Sequence, residues 1–205
     1  IPADISSAAF FMVGASIAPG SDLILEHVGL NPTRDGVITI LRAMGANIEV
    51  SQARTVGGEP VADLRIRYAP LRGIDIPVEE VPLAIDELPA ILVAAACAEG
   101  VTVLRGAEEL RVKESDRIAS MAEGLSHIGI RNTVAPDGIT VVGGTPSGGV
   151  ITTHHDHRIA MSFAMAALRA SDPIIVTDCA HVATSFPGFA ELAANTGLRL
   201  TVTAS

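Results

Sequence analysis

Three stretches of this chain repeat one plan, and the repetition limits the fold more than any other feature. The first runs from Asp4 through ISSAAFFMVGASIAPG, the apolar run Leu23–Val28, and then NPTRDGVITILRAMGANIEV. The second runs from Asp86 through ELPAILVAAACAEG and Val101–Leu104 to ESDRIASMAEGLSHIGIRNTV. The third runs from Asp156 through HRIAMSFAMAALRA and Pro173–Thr177 to SFPGFAELAANTGLRLTV. Each reads as Asp, Ala-rich apolar helix, short β-branched strand, second helix, Gly, strand. Gly45, Gly129 and Gly197 fall where the residue after a helix adopts the left-handed conformation, and Gly20 and Gly100 close two of the first helices. A self-similar unit used three times predicts a pseudo-threefold domain. Ala62–Arg67 and Gly138–Val142 read as further strands, and Gly143–Gly149 as a loop.

The two helix types carry different patterns. Ser6–Ile17 (its core Ala8–Ile17), Leu88–Ala98 and Ile159–Leu168 are apolar all round, which requires burial on every side. The second helices are amphipathic; Ser115–Ser126 sets Ile118, Met121, Ala122 and Leu125 against polar positions. The pattern predicts an α/β fold with helices inside and sheets outside, the reverse of a barrel rimmed by helices. The chain is 48% hydrophobic but only 3% aromatic, without Trp, so Ala, Val, Ile and Leu must fill that core.

Asp4, Asp86 and Asp156 are each read as the N-cap of an apolar helix. Three helices starting at one end of the domain would bring their positive ends together and form an anion site. Arg34, Lys113, Arg117 and Arg158 fall at comparable helix starts and suit phosphate or carboxylate, which Arg can grip through two oxygens. Glu114 and Arg117 share a helix face, which alone would be an ordinary surface ion pair. Beside Asp86 and the cations, they would make a site where carboxylates act as general acid and base. His154, His155 and His157 form HHDH, but no second Cys/His cluster supports a metal, and His157 reads as a hydrogen-bonding group of the anion pocket.

The net charge of −9 argues against non-specific nucleic-acid binding. The apolar runs are too short to span a bilayer, and no signal peptide is evident. Cys97 and Cys179 sit in apolar sequence and read as buried free thiols, which places the protein in the cytoplasm. The opening Ile1-Pro2-Ala3-Asp4 lacks Met and enters patterned sequence at once, so the chain reads as a piece of something longer.

The stretches NPTR, IDELP, ELRVKESDR, DHRIAMSFAMA and ATSFPGF, in this order, resemble the 5-enolpyruvylshikimate-3-phosphate synthases over essentially the whole chain. The match is to the C-terminal portion of that enzyme. The resemblance implies an inside-out α/β barrel of three βαβαββ units, as one domain over 1–205 whose N-terminal partner half is absent. It implies transfer of the enolpyruvyl group of phosphoenolpyruvate to the 5-hydroxyl of shikimate-3-phosphate, with release of phosphate, in aromatic amino acid biosynthesis. It implies no cofactor and no metal, and a monomer when intact. By resemblance, Asp86 contacts the shikimate ring and handles the hydroxyl proton, and Glu114 exchanges a proton at the methylene carbon. Arg117 and Arg158 lie on the phosphoenolpyruvate side, where glyphosate also binds, and Lys113 on the shikimate-3-phosphate side.

One departure stands out. Many members carry a lysine in a lysine-threonine-phenylalanine-proline motif, where this chain has Thr184 before Ser185-Phe186-Pro187; a branch of the family shares the Thr. The alternatives are the related transferase acting on UDP-N-acetylglucosamine, which ELRVKESDR disfavours, and a non-catalytic substrate-binding domain. The isolated chain is expected to fold but not to catalyse, with Arg117 and Arg158 open to bulk water.

Overall fold

The three apolar segments form helices that other parts of the chain enclose. In a computed structural model, which describes residues 2–203, they are α1 (Ile5–Ile17), α3 (Leu88–Ala96) and α5 (His157–Ala166). Asp4 caps α1 by accepting the Ser7 amide at 2.9 Å, and Asp156 caps α5 by accepting the Arg158 amide at 2.9 Å. These bonds satisfy donors that the first helical turn leaves unpaired. α3 starts differently, and here the sequence expectation fails. Asp86 lies one residue before the cap position, which Glu87 occupies, and no side chain caps this helix. Pro89 in the first turn has no N–H to satisfy, so the helix opens with fewer orphan donors. The Asp86 carboxylate is thereby left for other partners.

α1, α3 and α5 pack against one another. All nine residues of α3 are buried, and Ser7 alone departs from full burial in α1. In α5, His157, Arg158 and Ala164 are half-buried and the rest are buried. No helix of the three turns a face to solvent, as their all-round apolarity requires. Small residues let the helices approach: a Cβ on Gly14 of α1 would meet Met165 Sδ of α5 at 3.0 Å.

The sheets lie outside this core. In the first unit β1 (Asp22–Gly29), β2 (Asn47–Val56) and β3 (Glu59–Arg67) form an antiparallel sheet in the order β1-β3-β2. Leu64 and Ile66 of β3 turn inward, while Arg65 and Arg67 turn outward to Asp22 and Glu49, the period-two alternation of a sheet wet on one face. The second unit repeats the order with β4 (Val101–Leu104), β5 (Asn132–Ala135) and β6 (Gly138–Val142) as β4-β6-β5. The amphipathic helices α2 (Gly36–Ala43) and α4 (Arg117–His127) connect strands within these units, burying Val37, Ile40 and Leu41 in one and Ile118, Met121, Ala122 and Leu125 in the other. Gly45, Gly129 and Gly197 all have the expected positive φ.

The third unit is reduced. Only β7 (Gly149–Thr152) and β8 (Ile174–Thr177) pair, and they do so in parallel. After α6 (Val182–Ser185) and α7 (Phe189–Asn195), the expected closing strand near Leu198–Val202 is not formed. A strand needs a ladder partner, and among the described residues none faces this segment. The parallel pairing across the buried helix is nonetheless common to all units. Ala3 bridges Val28 around α1, Asp75 bridges Val103 around α3, and β7 pairs β8 around α5.

The SFPGF stretch proves structural in part: Phe186 and Phe189 pack on Phe11 of α1 with ring centroids 6.2 and 5.8 Å away. Of the two free cysteines expected to be buried, only Cys179 departs from that expectation. Cys97 is largely buried, which pushes its thiol up to about 12, but Cys179 is exposed in the turn before α6. Among the described residues no helix is long and apolar enough to cross a membrane.

Gly124 of α4 faces the ring of buried Phe163, which a Cβ there would overlap. In an exposed helix Gly→Ala would gain about 1 kcal/mol. Here Gly124→Ala should instead cost about 1–3 kcal/mol through overpacking, read as a lowered urea midpoint. A raised midpoint would show that the α4–α5 contact yields freely.

Candidate active site

Hydrogen bonds and ion pairs tie the starts of five helices together at one end of the core. Ser6 comes from α1, Asp86 and Glu87 from the entry to α3, and Asp156, His157 and Arg158 from the start of α5. Arg117 opens α4, with Lys113 and Glu114 in the turn before it, and Arg34 lies two residues before α2. Lys113 is not at a helix start as the sequence suggested; it terminates the short 3-10 turn Glu108–Val112. That turn brings its ammonium back toward Asp86.

Asp86 is the centre of the cluster. Arg34 Nη2, Lys113 Nζ and Arg117 Nη1 each lie 3.5 Å from its carboxylate, and Arg158 Nη2 lies at 4.0 Å. Its side chain is 29% exposed, so the carboxylate is at the surface end of the cluster. Burial pushes this carboxyl up, but Arg158, Lys113 and Arg117 together outweigh it and hold Asp86 below the usual carboxylate range. Lys113 is shared with Glu109 at 2.6 Å; that bond is the main reason its ammonium is held above the usual lysine range.

Arg117 is the most deeply buried cation of the cluster. Its side chain is 1% exposed, so it is not open to bulk water, contrary to the expectation for an isolated chain. Its Nε donates to Asp156 Oδ2 at 2.8 Å, and the Asp156 side chain is 0% exposed. Glu114 accepts from Arg117 Nη2 at 2.5 Å. The pairing of Glu114 with Arg117 is therefore not an ordinary surface contact: one partner is half-exposed and the other buried. Arg117 Nη1 is buried without a hydrogen-bond partner among the described residues, 3.5 Å from the Asp86 carboxylate. A buried spare donor is costly unless an acceptor arrives, and an anion beside Asp86 would supply one.

Arg158 is held from behind. Its Nη1 donates to the Asp86 backbone carbonyl at 2.8 Å and lies 3.9 Å from Glu87 Oε1. Glu87, a residue the sequence analysis passed over, is 2% exposed and accepts from Ser6 Oγ. Ser6 in turn accepts from Arg34 Nη2 at 2.9 Å. The only sequence signal for Glu87 was a second carboxylate, next to Asp86, directly before an apolar helix. His157 sits in the first turn of α5, half-buried. Burial first, then Arg158, lower its pKa, so a neutral imidazole is favoured. His154 and His155 stand apart: His154 pairs with Glu123 at 2.9 Å and His155 packs edge-on against His181. Thr184 is exposed in α6. Among the described residues no three His, Cys, Asp or Glu are grouped to hold a metal.

The Asp156–Arg117 pair sets a pH dependence. Burial raises the Asp156 carboxyl, but the hydrogen bond and charge of Arg117 outweigh it and leave it below its ordinary value. A depressed carboxyl stabilises the fold above its unfolded pKa of about 4 and loses that contribution as pH falls through its folded value. Asp156→Asn keeps a cap acceptor but removes the charge facing Arg117, which should cost about 3–5 kcal/mol at pH 7. The gap between wild type and variant, from urea unfolding, should narrow at acid pH. A gap of the same size at pH 3 and pH 7 would contradict this account.

With the geometry in place, relatives are informative. The profile of the EPSP synthase family (3-phosphoshikimate 1-carboxyvinyltransferase) matches residues 1–192. The 3-phosphoshikimate 1-carboxyvinyltransferases of Methylococcus capsulatus and Alkalilimnicola ehrlichii are each 65% identical over 202 residues, 98% of this chain but 46% and 45% of theirs. An EPSP synthase structure from Acinetobacter baumannii superposes on the whole chain with TM-score 0.97 and 56% identity, using 48% of its own length. The enolpyruvyl transferase NikO of Streptomyces tendae, at 20% identity and TM-score 0.78 over all of this chain and 45% of its own, shares the fold. The chain thus spans about half the length of the relatives it matches. On the family match across its first 192 residues, and with the inside-out α/β fold that those structures share, the chain belongs to the EPSP synthase family.

Proposed function

We propose that this chain is the C-terminal half of a two-domain 3-phosphoshikimate 1-carboxyvinyltransferase and forms one wall of its active site. The reaction moves the enolpyruvyl group of phosphoenolpyruvate to the 5-hydroxyl of shikimate-3-phosphate and releases phosphate. The observation that carries the reading is the convergence of Arg34, Lys113, Arg117 and Arg158 on Asp86. Both substrates are multiply anionic, and three arginines at or beside helix starts, with Lys113 from the turn before α4, are suited to them.

Asp86 accepts the proton of the attacking 5-hydroxyl. Its depressed pKa makes it a poor base while the cations face it alone. Substrate phosphate and carboxylate groups entering between them take over that charge, and the Asp86 carboxylate becomes more basic as they do. Glu114, half-exposed beside Arg117, delivers a proton to the methylene carbon of phosphoenolpyruvate and removes one again during elimination. Arg117 and Arg158 hold the phosphoenolpyruvate anions and stabilise the departing phosphate. Lys113 binds on the shikimate-3-phosphate side, with His157 a neutral hydrogen-bonding group next to Arg158. No cofactor takes part. The other wall comes from the enzyme's own N-terminal domain, in a cytoplasmic, monomeric whole. A half acting on UDP-N-acetylglucosamine has no observation in its favour, since the relatives at 65% identity carry the shikimate name.

In enzyme reassembled from this chain and the N-terminal half, Asp86→Asn and Glu114→Gln should each cut turnover about 10²–10⁴-fold, with little change in unfolding midpoint. Phosphate release from phosphoenolpyruvate plus shikimate-3-phosphate is the assay. Wild-type rates in either variant would remove that residue from the mechanism. The chain without its partner half should give no turnover above background, because preorganised donors on the second wall are missing. Turnover at the rate of the reassembled enzyme would overturn that assignment of the site.

A further inference from the structure

Glu87 is a buried carboxylate that the reaction above does not use. It occupies the N-cap position of α3, yet its side chain caps nothing there. Instead it accepts from Ser6 of α1 and lies 3.9 Å from Arg158 Nη1 of α5. Through Ser6 Oγ it also reaches Arg34, whose Nη2 donates to that hydroxyl at 2.9 Å. The side chain is thus wedged behind the two arginines that flank Asp86 on the α1 and α5 sides. A charge in so dry a place costs several kcal/mol unless it is paired, and its direct ion pair, with Arg158 at 3.9 Å, is a long one. Among the described residues no group donates a short charged hydrogen bond to it.

We propose that Glu87 is a positioning residue of the anion site, fixing Arg158 directly and Arg34 through Ser6, and that it takes up a proton when an anion of the phosphate or carboxylate class binds those arginines. The inference rests on the functional reading above for the identity of the site, and on the geometry for the coupling. The groups facing Glu87 are Asp86 on its own segment, Ser6 on α1, Arg34 before α2 and Arg158 on α5. In the empty site the two arginines offset its charge. A bound anion engages those arginines and adds negative charge nearby, so the buried carboxylate is left with less compensation and protonates. Burial already raises its pKa, ahead of the opposing effects of Ser6 and Arg158. By linkage, anion binding that takes up a proton must itself strengthen as pH falls.

Sulfate is the probe, because unlike phosphate it does not titrate near neutrality. Its affinity for this chain would be measured by calorimetry between pH 6 and pH 8 for wild type, Glu87→Gln, Glu87→Ala and Ser6→Ala, each checked for native unfolding behaviour. His157 also titrates near the site, so the comparison between wild type and Glu87→Gln isolates the contribution of Glu87. Wild type should bind more tightly at pH 6, and Glu87→Gln, which keeps the shape and an acceptor for Ser6, should lose at least about threefold of that pH dependence. Glu87→Ala should weaken sulfate about tenfold at both pH values, with Gln restoring most of the pH 6 affinity; Ser6→Ala, which cuts only the link to Arg34, should give a smaller loss. Equal pH dependence in wild type and Glu87→Gln, or equal affinity in the Ala and Gln variants, would overturn the proposal while leaving the anion site standing. Should Glu87→Ala not fold, unchanged sulfate affinity in Ser6→Ala would overturn the positioning role. No sulfate binding by wild type would overturn both the proposal and the functional reading on which it rests.

Discussion

The buried pair of Arg117 and Asp156 is the contact on which the rest of the site depends. Asp156 caps α5 through Oδ1 and grips the Arg117 guanidinium with both oxygens, Oδ2 at 2.8 Å and Oδ1 at 3.4 Å. The start of α5 is therefore locked to the start of α4 in the interior, where neither side chain is appreciably exposed. A charged pair so deep is tolerated only with good geometry and extra hydrogen bonds, and Ser115 supplies one more at 3.1 Å. Once this pair is set, Arg158 follows two residues later in the first turn of α5 and Glu114 precedes Arg117 by three, so both face the same opening. Shape and charge of the site thus come from helix starts and the short turns that lead into them.

The inside-out fold is what permits this. Three helices buried on all sides place their N-termini in one region, because the sheets and amphipathic helices around them have no other centre to pack on. The same burial raises the electrostatic stakes. Removing water strengthens each interaction and penalises each unpaired charge. The cluster answers with near balance: Asp86, Glu87, Glu114 and Asp156 against Arg34, Lys113, Arg117 and Arg158. An anion entering such a balanced set changes the compensation of the charges around it.

Much of this was legible in the residues. Apolarity all round Ala8–Ile17 and Leu88–Ala96 admits only burial, and the repeated Asp–helix–strand order implied the pseudo-threefold plan. The gathering of Asp86, Lys113, Glu114, Arg117 and Arg158 followed from their places in that repeat. What the residues did not show were facts of three-dimensional pairing. Asp86 reads as a cap because it precedes a helix, but Pro89 shifts the start and the side chain turns outward to the cations. Arg117 looks like half of an i,i+3 surface pair, since nothing local reveals Asp156 arriving from 39 residues away. Ser6 and Glu87, 81 residues apart, are ordinary in sequence and adjacent in space. The third unit resembles the others by pattern, yet its closing segment forms no strand because none faces it among the described residues.

The central claim, that these helix starts form one anion site, is tested most directly by the arginine side chains themselves. Phosphoenolpyruvate would be titrated into chain labelled with 15N-arginine while the Nε–Hε resonances are followed. The account predicts saturable shifts for Arg34, Arg117 and Arg158, with Arg117 Nε–Hε slow to exchange from the outset because Asp156 holds it in the dry interior. Arg65 and Arg67, on the outer face of the first sheet, should not move. Shifts spread evenly over all arginines, or confined to the outer sheet, would contradict it.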